Sequence, residues 1–502
     1  MRLPLWGVAL AIFALALALR LPKLNLRPFH ADEAVHAEKF RQIWKEWDRR
    51  TYRYDPNEFH GPTIYYAALP SVLVSGRKTF ATLEEADLRR TIAIAGAALS
   101  PLLLLFRRRI APGALLWAGL FLALSPSLVF YSRYYIQEVF LVGFTLLFLA
   151  FASRGQPIAA GLAAGAMIAT KETAVLSLGA AVVSWLAVRG GFKTLPWRAI
   201  GIGAGVAVVT AYIILSGLFT SPTAPLGYFQ TFTPWLKRAG GGGEALHAHP
   251  WLYYLQSYFW QVTPTRPIWT EGFLALLGIA GAVFGRKSPE VRFLSIFTIL
   301  LTVGYAAIPY KTPWCGLNFL APLAILAGIG AYELLSRPKS KIIKALLALP
   351  LLAGSAHLGW LAYQTNYVYY TDRYNPYVYS PTLPDAQNLA RRIERMASTH
   401  PDGEHITIKV ISRDDYCWPL PWYLRRFEKV GYWSGTVPAD PNAPLVLASP
   451  KFEEALTKKL PNHEIKGMHG LRLGVFYDLF VEKSLWESYR KRYGDSVDDE
   501  EY

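Results

Sequence analysis

Long apolar segments separated by short polar links govern what this chain can become. They lie near residues 5–21, 92–106, 112–131, 139–152, 157–170, 174–189, 199–219, 272–284, 293–309, 316–335 and 342–363. A hydrocarbon layer about 30 Å thick takes about 20 residues of helix to cross, and every backbone polar group inside it must be bonded within its own segment. The pattern predicts a polytopic α-helical membrane protein with roughly 11 transmembrane helices, several of them short. The net charge of +16 is not a nucleic-acid footprint. Outside the C-terminal region most basic residues stand in the links, at Arg107, Arg108, Arg109 and Arg154 and within 189–198, 286–292 and 337–344. Such clusters mark the cytoplasmic side.

A further apolar stretch at 63–76 bears on orientation. If it crossed, every basic cluster would face outward, so it is read as a juxtamembrane or re-entrant piece. The N-terminus is then cytoplasmic, in a multi-pass protein of the cell (inner) membrane. The first external loop covers 22–91, a second large one covers 220–271, and everything after about 364 is extracytoplasmic. Residues 1–363 make the transmembrane domain and 364–502 a small soluble α/β domain. In the latter, β-rich runs at 406–411, 445–448 and 471–476 alternate with helical patterns at 385–399 and 451–460. The acidic end, 495–502, is expected to fray. Two cysteines, Cys315 and Cys417, provide neither a disulfide framework nor metal-ligand spacing; a single bridge between them stays open.

The polar motifs converge on the external side. His30-Ala31-Asp32-Glu33 follows the first apolar segment directly. Tyr52-Arg53-Tyr54-Asp55-Pro56 and His60-Gly61-Pro62 come next in the same loop. Tyr131 to Glu138 opens a later helix, and Thr170-Lys171-Glu172 lies between two others. Gly240 to Gly243 precede His247-Ala248-His249-Pro250-Trp251, and Tyr310-Lys311-Thr312-Pro313-Trp314 and Trp418-Pro419-Leu420-Pro421-Trp422-Tyr423 complete the series. Ionisable residues at a membrane boundary are costly and usually functional. A cap and a first-turn acid for a helix near Ala34 is the structural alternative for Asp32 and Glu33, and it explains one acid well; position at the membrane boundary and the motifs downstream favour function.

In that order the motifs resemble the GT-C superfamily of membrane glycosyltransferases, in the branch of the protein mannosyltransferases and aminoarabinose transferases. The narrower likeness is to the archaeal and bacterial family named for flippase-activity-associated N-glycosylation. The resemblance implies an inverting, hexosyltransferase-type enzyme that moves a sugar from a polyprenyl-phosphate donor to a glycan, protein or lipid acceptor on the external face. Asp32 is then the base, with Glu33 as its helper. Arg133 and Glu138 match the second acidic site, which holds the acceptor or shares a divalent metal with Asp32. For the donor phosphate, cations at external span ends are the candidates: Lys171, Lys311 and Arg266. His30, His60, Tyr54 and His249 are further loop candidates. His60-Gly61-Pro62 departs from the aminoarabinose transferases, which carry a Lys before a Pro pair at that place, so the phosphate contact of that lysine is in doubt.

Other readings remain. His30, His36, His60, His247 and His249 build a metal site with Asp32 only if the fold gathers them, since their spacing matches no ligand set. A lipid-linked sugar flippase needs polar or broken helices at mid-membrane depth, whereas the ionisable residues here collect at one face. A non-catalytic scaffold is disfavoured by the intact Asp32-Glu33 pair and Arg133. No Gly-rich phosphate loop supports a nucleotide-sugar donor.

Overall fold

A computed structural model describes residues 5–45, 54–55, 60–242, 247–414 and 416–494. Of the motif residues above, Tyr52, Arg53, Pro56 and Gly243 and the acidic segment 495–502 lie outside the described residues. In chain order the helices are α1 (Leu5–Arg20), α2 (Ala31–Lys45), α3 (Thr63–Ser75), α4 (Glu85–Leu102), α5 (Pro112–Leu124), α6 (Pro126–Tyr131), α7 (Glu138–Ser153), α8 (Pro157–Thr170), α9 (Ala174–Arg189), α10 (Trp197–Leu215), α11 (Ala224–Ala239), α12 (Tyr253–Phe259), α13 (Gly272–Phe284), α14 (Pro289–Ala307), α15 (Leu317–Ser336) and α16 (Lys341–Tyr363).

The chain divides into two compact units. The first comprises Met1–Leu24, Lys45–Ser75 and Ala86–Tyr379; the second comprises Asn25–Trp44, Gly76–Glu85 and Ser380–Tyr502. In the first, each apolar segment named above is helical. By length and composition, five stretches among the described residues can cross a membrane: Glu85–Phe106, Trp197–Leu215, Pro289–Ala307, Pro313–Ser336 and Lys341–Val368. The chain is a membrane protein whose remaining apolar helices are shorter. The segment at 112–131 shows why. It is two helices, because Ser125 leaves the helical conformation with ψ 119° and caps α6 through Oγ, which accepts from the Leu128 amide at 3.3 Å, while Pro126 starts the new helix. Close helix approach relies on small residues, as it must where lipid removes the hydrophobic drive. A Cβ on Gly281 would stand 2.0 Å from the Leu326 carbonyl oxygen, so α13 and α15 touch backbone to backbone.

The second unit adds α17 (Asp385–Ala397), β1 (Thr407–Ser412), α18 (Leu420–Tyr423), β2 (Lys429–Ser434), β3 (Leu445–Ala448), α19 (Glu453–Lys459), β4 (His463–Arg472), β5 (Val475–Glu482) and α20 (Lys483–Tyr493). The strands form one mixed sheet in the order β2-β1-β3-β5-β4, with β1 parallel to β2 and β3, and β5 antiparallel to β3 and β4. Helix α17 buries Ala386, Leu389, Ala390, Ile393, Met396 and Ala397, a stripe at helical spacing. The run at 471–476 is β-structure but not one strand: it joins the end of β4 to the start of β5 through a turn at Leu473-Gly474. In that turn Gly474 takes φ +76°, a conformation that costs glycine little.

This unit also takes in parts of the 22–91 loop, Asn25–Trp44 and Gly76–Glu85. Trp422 packs on Phe29 and Phe80 with ring centroids 4.4 and 5.8 Å apart, and its Nε1 donates to Glu85 at 3.2 Å. The Phe29 amide donates to the Tyr423 hydroxyl at 2.8 Å, and Thr382 Oγ1 donates to the Phe29 carbonyl at 2.7 Å. Trp422 and Tyr423 are therefore packing residues, and what they hold is the start of α2.

Candidate functional site

Helix α2 presents the Asp-Glu pair. His30 stands just ahead of the helix, and its Nδ1 accepts from the Asp32 amide at 3.1 Å. The Glu33 carboxylate reaches back to accept from the His30 amide at 3.0 Å. This reciprocal arrangement is a capping box with histidine in the usual place of serine. It buries Glu33 completely and leaves the Asp32 side chain 48% exposed, with His30 Nδ1 3.9 Å from its carboxylate. The two acids are thereby separated: Glu33 is committed to the backbone, and Asp32 is free to meet a ligand at the second turn position of the helix.

In the first unit, His60-Gly61-Pro62 lies along the end of α8. His60 bridges Lys171 in antiparallel fashion, the Gly61 amide donates to the Thr170 carbonyl at 3.2 Å, and Thr63 Oγ1 donates to the Ala169 carbonyl at 2.9 Å. The last carbonyls of α8 are thus satisfied by the loop. A Cβ on Gly61 would fall 1.8 Å from the Ala169 oxygen, so Gly61→Ala must displace backbone. We expect a loss of about 2–4 kcal/mol, read as a lower melting temperature in detergent; an unchanged melt would contradict this close approach.

Two ion pairs flank that contact. His60 Nδ1 meets Glu172 Oε2 at 3.1 Å, and Lys171 Nζ binds Glu138 at the start of α7. Burial alone would lower the Lys171 ammonium, yet Glu138 and Glu172 beside it hold it well above its usual range. Tyr54 donates to or accepts from Thr231 of α11 at 2.6 Å and packs near Tyr228.

The motifs at 247–251 and 310–314 pair with one another. The His249 amide donates to the Pro309 carbonyl at 3.1 Å and the Lys311 amide to the His247 carbonyl at 2.9 Å. The buried Lys311 ammonium donates to the carbonyls of His249, at 3.0 Å, and Ile308. Among the described residues it meets no carboxylate, and burial lowers it. His249 stacks on Tyr253 at 4.2 Å, and its buried Nε2 has no hydrogen-bond partner among the described residues.

Arg133 does not meet Glu138. Its guanidinium donates to the carbonyls of Arg20, Pro22 and Lys23 at 2.8, 2.7 and 2.9 Å and to the Tyr367 hydroxyl at 3.0 Å, ending α1 as a clamp. Arg266 pairs with Asp372 at 2.6 Å and lies over Tyr369. Cys315 and Cys417 are not joined by a disulfide. Among the described residues no three His, Cys, Asp or Glu side chains gather to hold a metal ion.

Sequence reasoning passed over Glu271. Fully buried, it accepts from Ser125 Oγ at 2.6 Å, the Ser127 amide at 3.1 Å and the Tyr377 hydroxyl at 3.1 Å, and burial raises its carboxyl. It ties the α5–α6 break and residue 377 to the head of α13. The available signal was a lone acid directly before an apolar run.

The fold is shared with solved structures of other membrane-embedded proteins. The solved structures that carry this likeness are ArnT and AglB. ArnT from Cupriavidus metallidurans in the apo state superposes with a TM-score of 0.66 at 18% identity, over 96% of this chain and 99% of that one. The same protein bound to undecaprenyl phosphate gives 0.64 at 17% identity, over 94% and 98%. The archaeal oligosaccharyltransferase AglB from Archaeoglobus fulgidus, in complex with an inhibitory peptide and a dolichol-phosphate, gives 0.60 at 13% identity, over 89% and 70%. No protein-family model matches the chain, and no curated protein matches it in sequence.

Proposed function

We propose that this chain transfers a sugar, of hexose type, from a polyprenyl-phosphate donor to an acceptor hydroxyl at the external membrane face, with Asp32 as the base. The observation that carries the reading is the separation of the acid pair: the Glu33 carboxylate serves the capping box, while the Asp32 carboxylate is open to solvent. The ArnT and AglB structures that share the fold hold undecaprenyl phosphate and dolichol-phosphate, which supports a donor of that class.

In the reaction the acceptor hydroxyl gives its proton to the Asp32 carboxylate, and its oxygen bonds to the anomeric carbon. The bond from that carbon to phosphate breaks, and its electron pair leaves with polyprenyl phosphate. A single displacement from the opposite face inverts the centre. The leaving phosphate needs no general acid, in contrast to the second carboxyl of a glycosidase. Among the cations, Lys171 and Arg266 are already paired with carboxylates, and Lys311 alone of the three binds only carbonyls. Lys311 is therefore our choice for the donor phosphate, where its charge stabilises the departing anion. Lys311→Met should raise the KM for donor about tenfold or more, as loss of a charge-assisted hydrogen bond does, with Lys311→Arg intermediate; equal KM in all three would remove it from the site.

Transfer of radiolabelled hexose from synthetic polyprenyl-phosphate donors in proteoliposomes tests the reading. Release of polyprenyl phosphate with label on the acceptor is the expected result. Label that only crosses between leaflets would replace it with the flippase reading.

A further inference from the structure

Helix α11 leaves an apolar strip uncovered, and the turn before it fixes where that strip lies. Helix α10 is long and apolar enough to cross a membrane and is mostly unburied within the chain, so its neighbours are lipid. At its end the chain folds back at once. Gly217, Leu218 and Phe219 take φ of +63°, +56° and +70°, a conformation that leucine and phenylalanine rarely adopt. The turn is closed by the Leu218 amide on the Ile213 carbonyl and the Ser221 amide on the Ser216 carbonyl, both at 2.9 Å. In the last turn of α10 the Tyr212 hydroxyl donates to the Pro222 carbonyl at 3.3 Å. Helix α11, which begins at Ala224, therefore starts level with the end of a membrane span.

Helix α11 does not cross in its turn: its 16 residues include Gln230, Lys237 and Arg238, and Pro234 lies inside it. One face is fixed against the chain. Tyr228 and Thr231 are buried, the Thr231 and Tyr54 hydroxyls are 2.6 Å apart, and the rings of Tyr54 and Tyr228 lie 6.2 Å from one another. These contacts set the roll of the helix. The exposed half then divides in two. At about 100° per residue, Leu226, Phe229 and Leu236 share a strip about 80° wide, with Thr233 between them. Thr223, Gln230 and Lys237, seven residues apart, form a polar strip beside it. Leu226, Phe229 and Leu236 are 66%, 71% and 60% exposed.

A contiguous apolar strip left open marks an interaction surface. Its place at the mouth of a span and the polar strip alongside match the boundary of a bilayer, with acyl chains to one side and headgroups to the other. The rings of Tyr212 and Phe219, 6.0 Å apart, make this surface continuous with the lipid-facing side of α10. A protein partner on the strip would have to displace lipid from the span as well. We propose that α11 lies in the plane of the membrane surface as an amphipathic interfacial helix. Leu226, Phe229 and Leu236 sit among the acyl chains, and Lys237 reaches the phosphates of anionic phospholipids.

The test uses the full chain in vesicles of phosphatidylethanolamine and phosphatidylglycerol, with Phe229, Leu236 or Gln230 replaced singly by the photoreactive residue p-benzoylphenylalanine. All three positions are exposed, so the variants are expected to melt with the wild type. If one of the apolar-strip variants does not, the other decides. Irradiation should give phospholipid adducts at 229 and 236 in about tenfold greater yield than at 230, the ratio that burying one large apolar side chain supports. Equal yields at the three positions, or no lipid adduct at 229 and 236, overturn the interfacial seat. Adducts there that join two protein chains also overturn it and place a second copy on the strip. Adding Lys237→Gln to the Leu236 variant should lower the share of phosphatidylglycerol among its adducts about fivefold; an unchanged share overturns the contact with anionic headgroups.

Discussion

Asp32→Asn should lose transfer activity by about 10³-fold while its melting temperature stays near that of the wild type. A positioned general base contributes on the order of 10²–10⁴ in rate, and Asn has nearly the shape of Asp without the basic oxygen. The structural cost is small because the Asp32 carboxylate is half exposed and the His30 ring nitrogen beside it stands 3.9 Å away, beyond hydrogen-bond distance. Its favourable interaction with the helix dipole is worth only about 0.3–1 kcal/mol. Glu33→Ala has the opposite profile: it removes the acceptor for the His30 amide and should lower stability, with activity falling only as the cap loosens. Activity of Asp32→Asn within tenfold of wild type would mean that the proton goes elsewhere.

Removing Glu138 should be the most damaging single change to stability. Glu138→Leu leaves the Lys171 ammonium buried without its carboxylate, a loss of about 3–5 kcal/mol, whereas Glu138→Leu with Lys171→Met removes both charges and should recover much of it. The asymmetry follows from desolvation: a lone buried charge costs more than an absent pair. Because the pair raises the Lys171 ammonium above its usual range, its contribution is complete below about pH 10 and is lost only as pH climbs through the raised value. Thermal unfolding of the two variants in detergent is the measurement. A single mutant that melts with the wild type would show that Glu172 alone suffices for Lys171.

The acids and cations of these motifs were legible as positions, not as partners. Lys171 was visible as a span-end cation, yet nothing in the order of residues says that Glu138, 33 positions earlier, takes it. Arg133 read as a ligand-facing residue because an arginine beside an acid at the head of an apolar run invites that role; the structure spends it on three carbonyls. Glu271 was silent for the same reason, since its three donors come from residues more than a hundred positions away. The division of Asp32 from Glu33 depended on a histidine cap, which sequence preference places on serine, threonine, aspartate or asparagine.

What the sequence by itself determined is the material of the fold: apolar runs that must become helices because lipid offers their backbones no partner, and a polar C-terminal segment whose alternating patterns fold into a mixed α/β sheet. The neighbourhood of Asp32 was decided only by tertiary structure. Hydrophobic packing of Phe29 and Phe80 on Trp422 draws part of the 22–91 loop into the C-terminal domain, and Thr382 ties Phe29, two residues before α2, to the end of β4. Periodicity records which face of an element is buried. It does not record which distant element supplies the burial, and a charge takes its role from that neighbour.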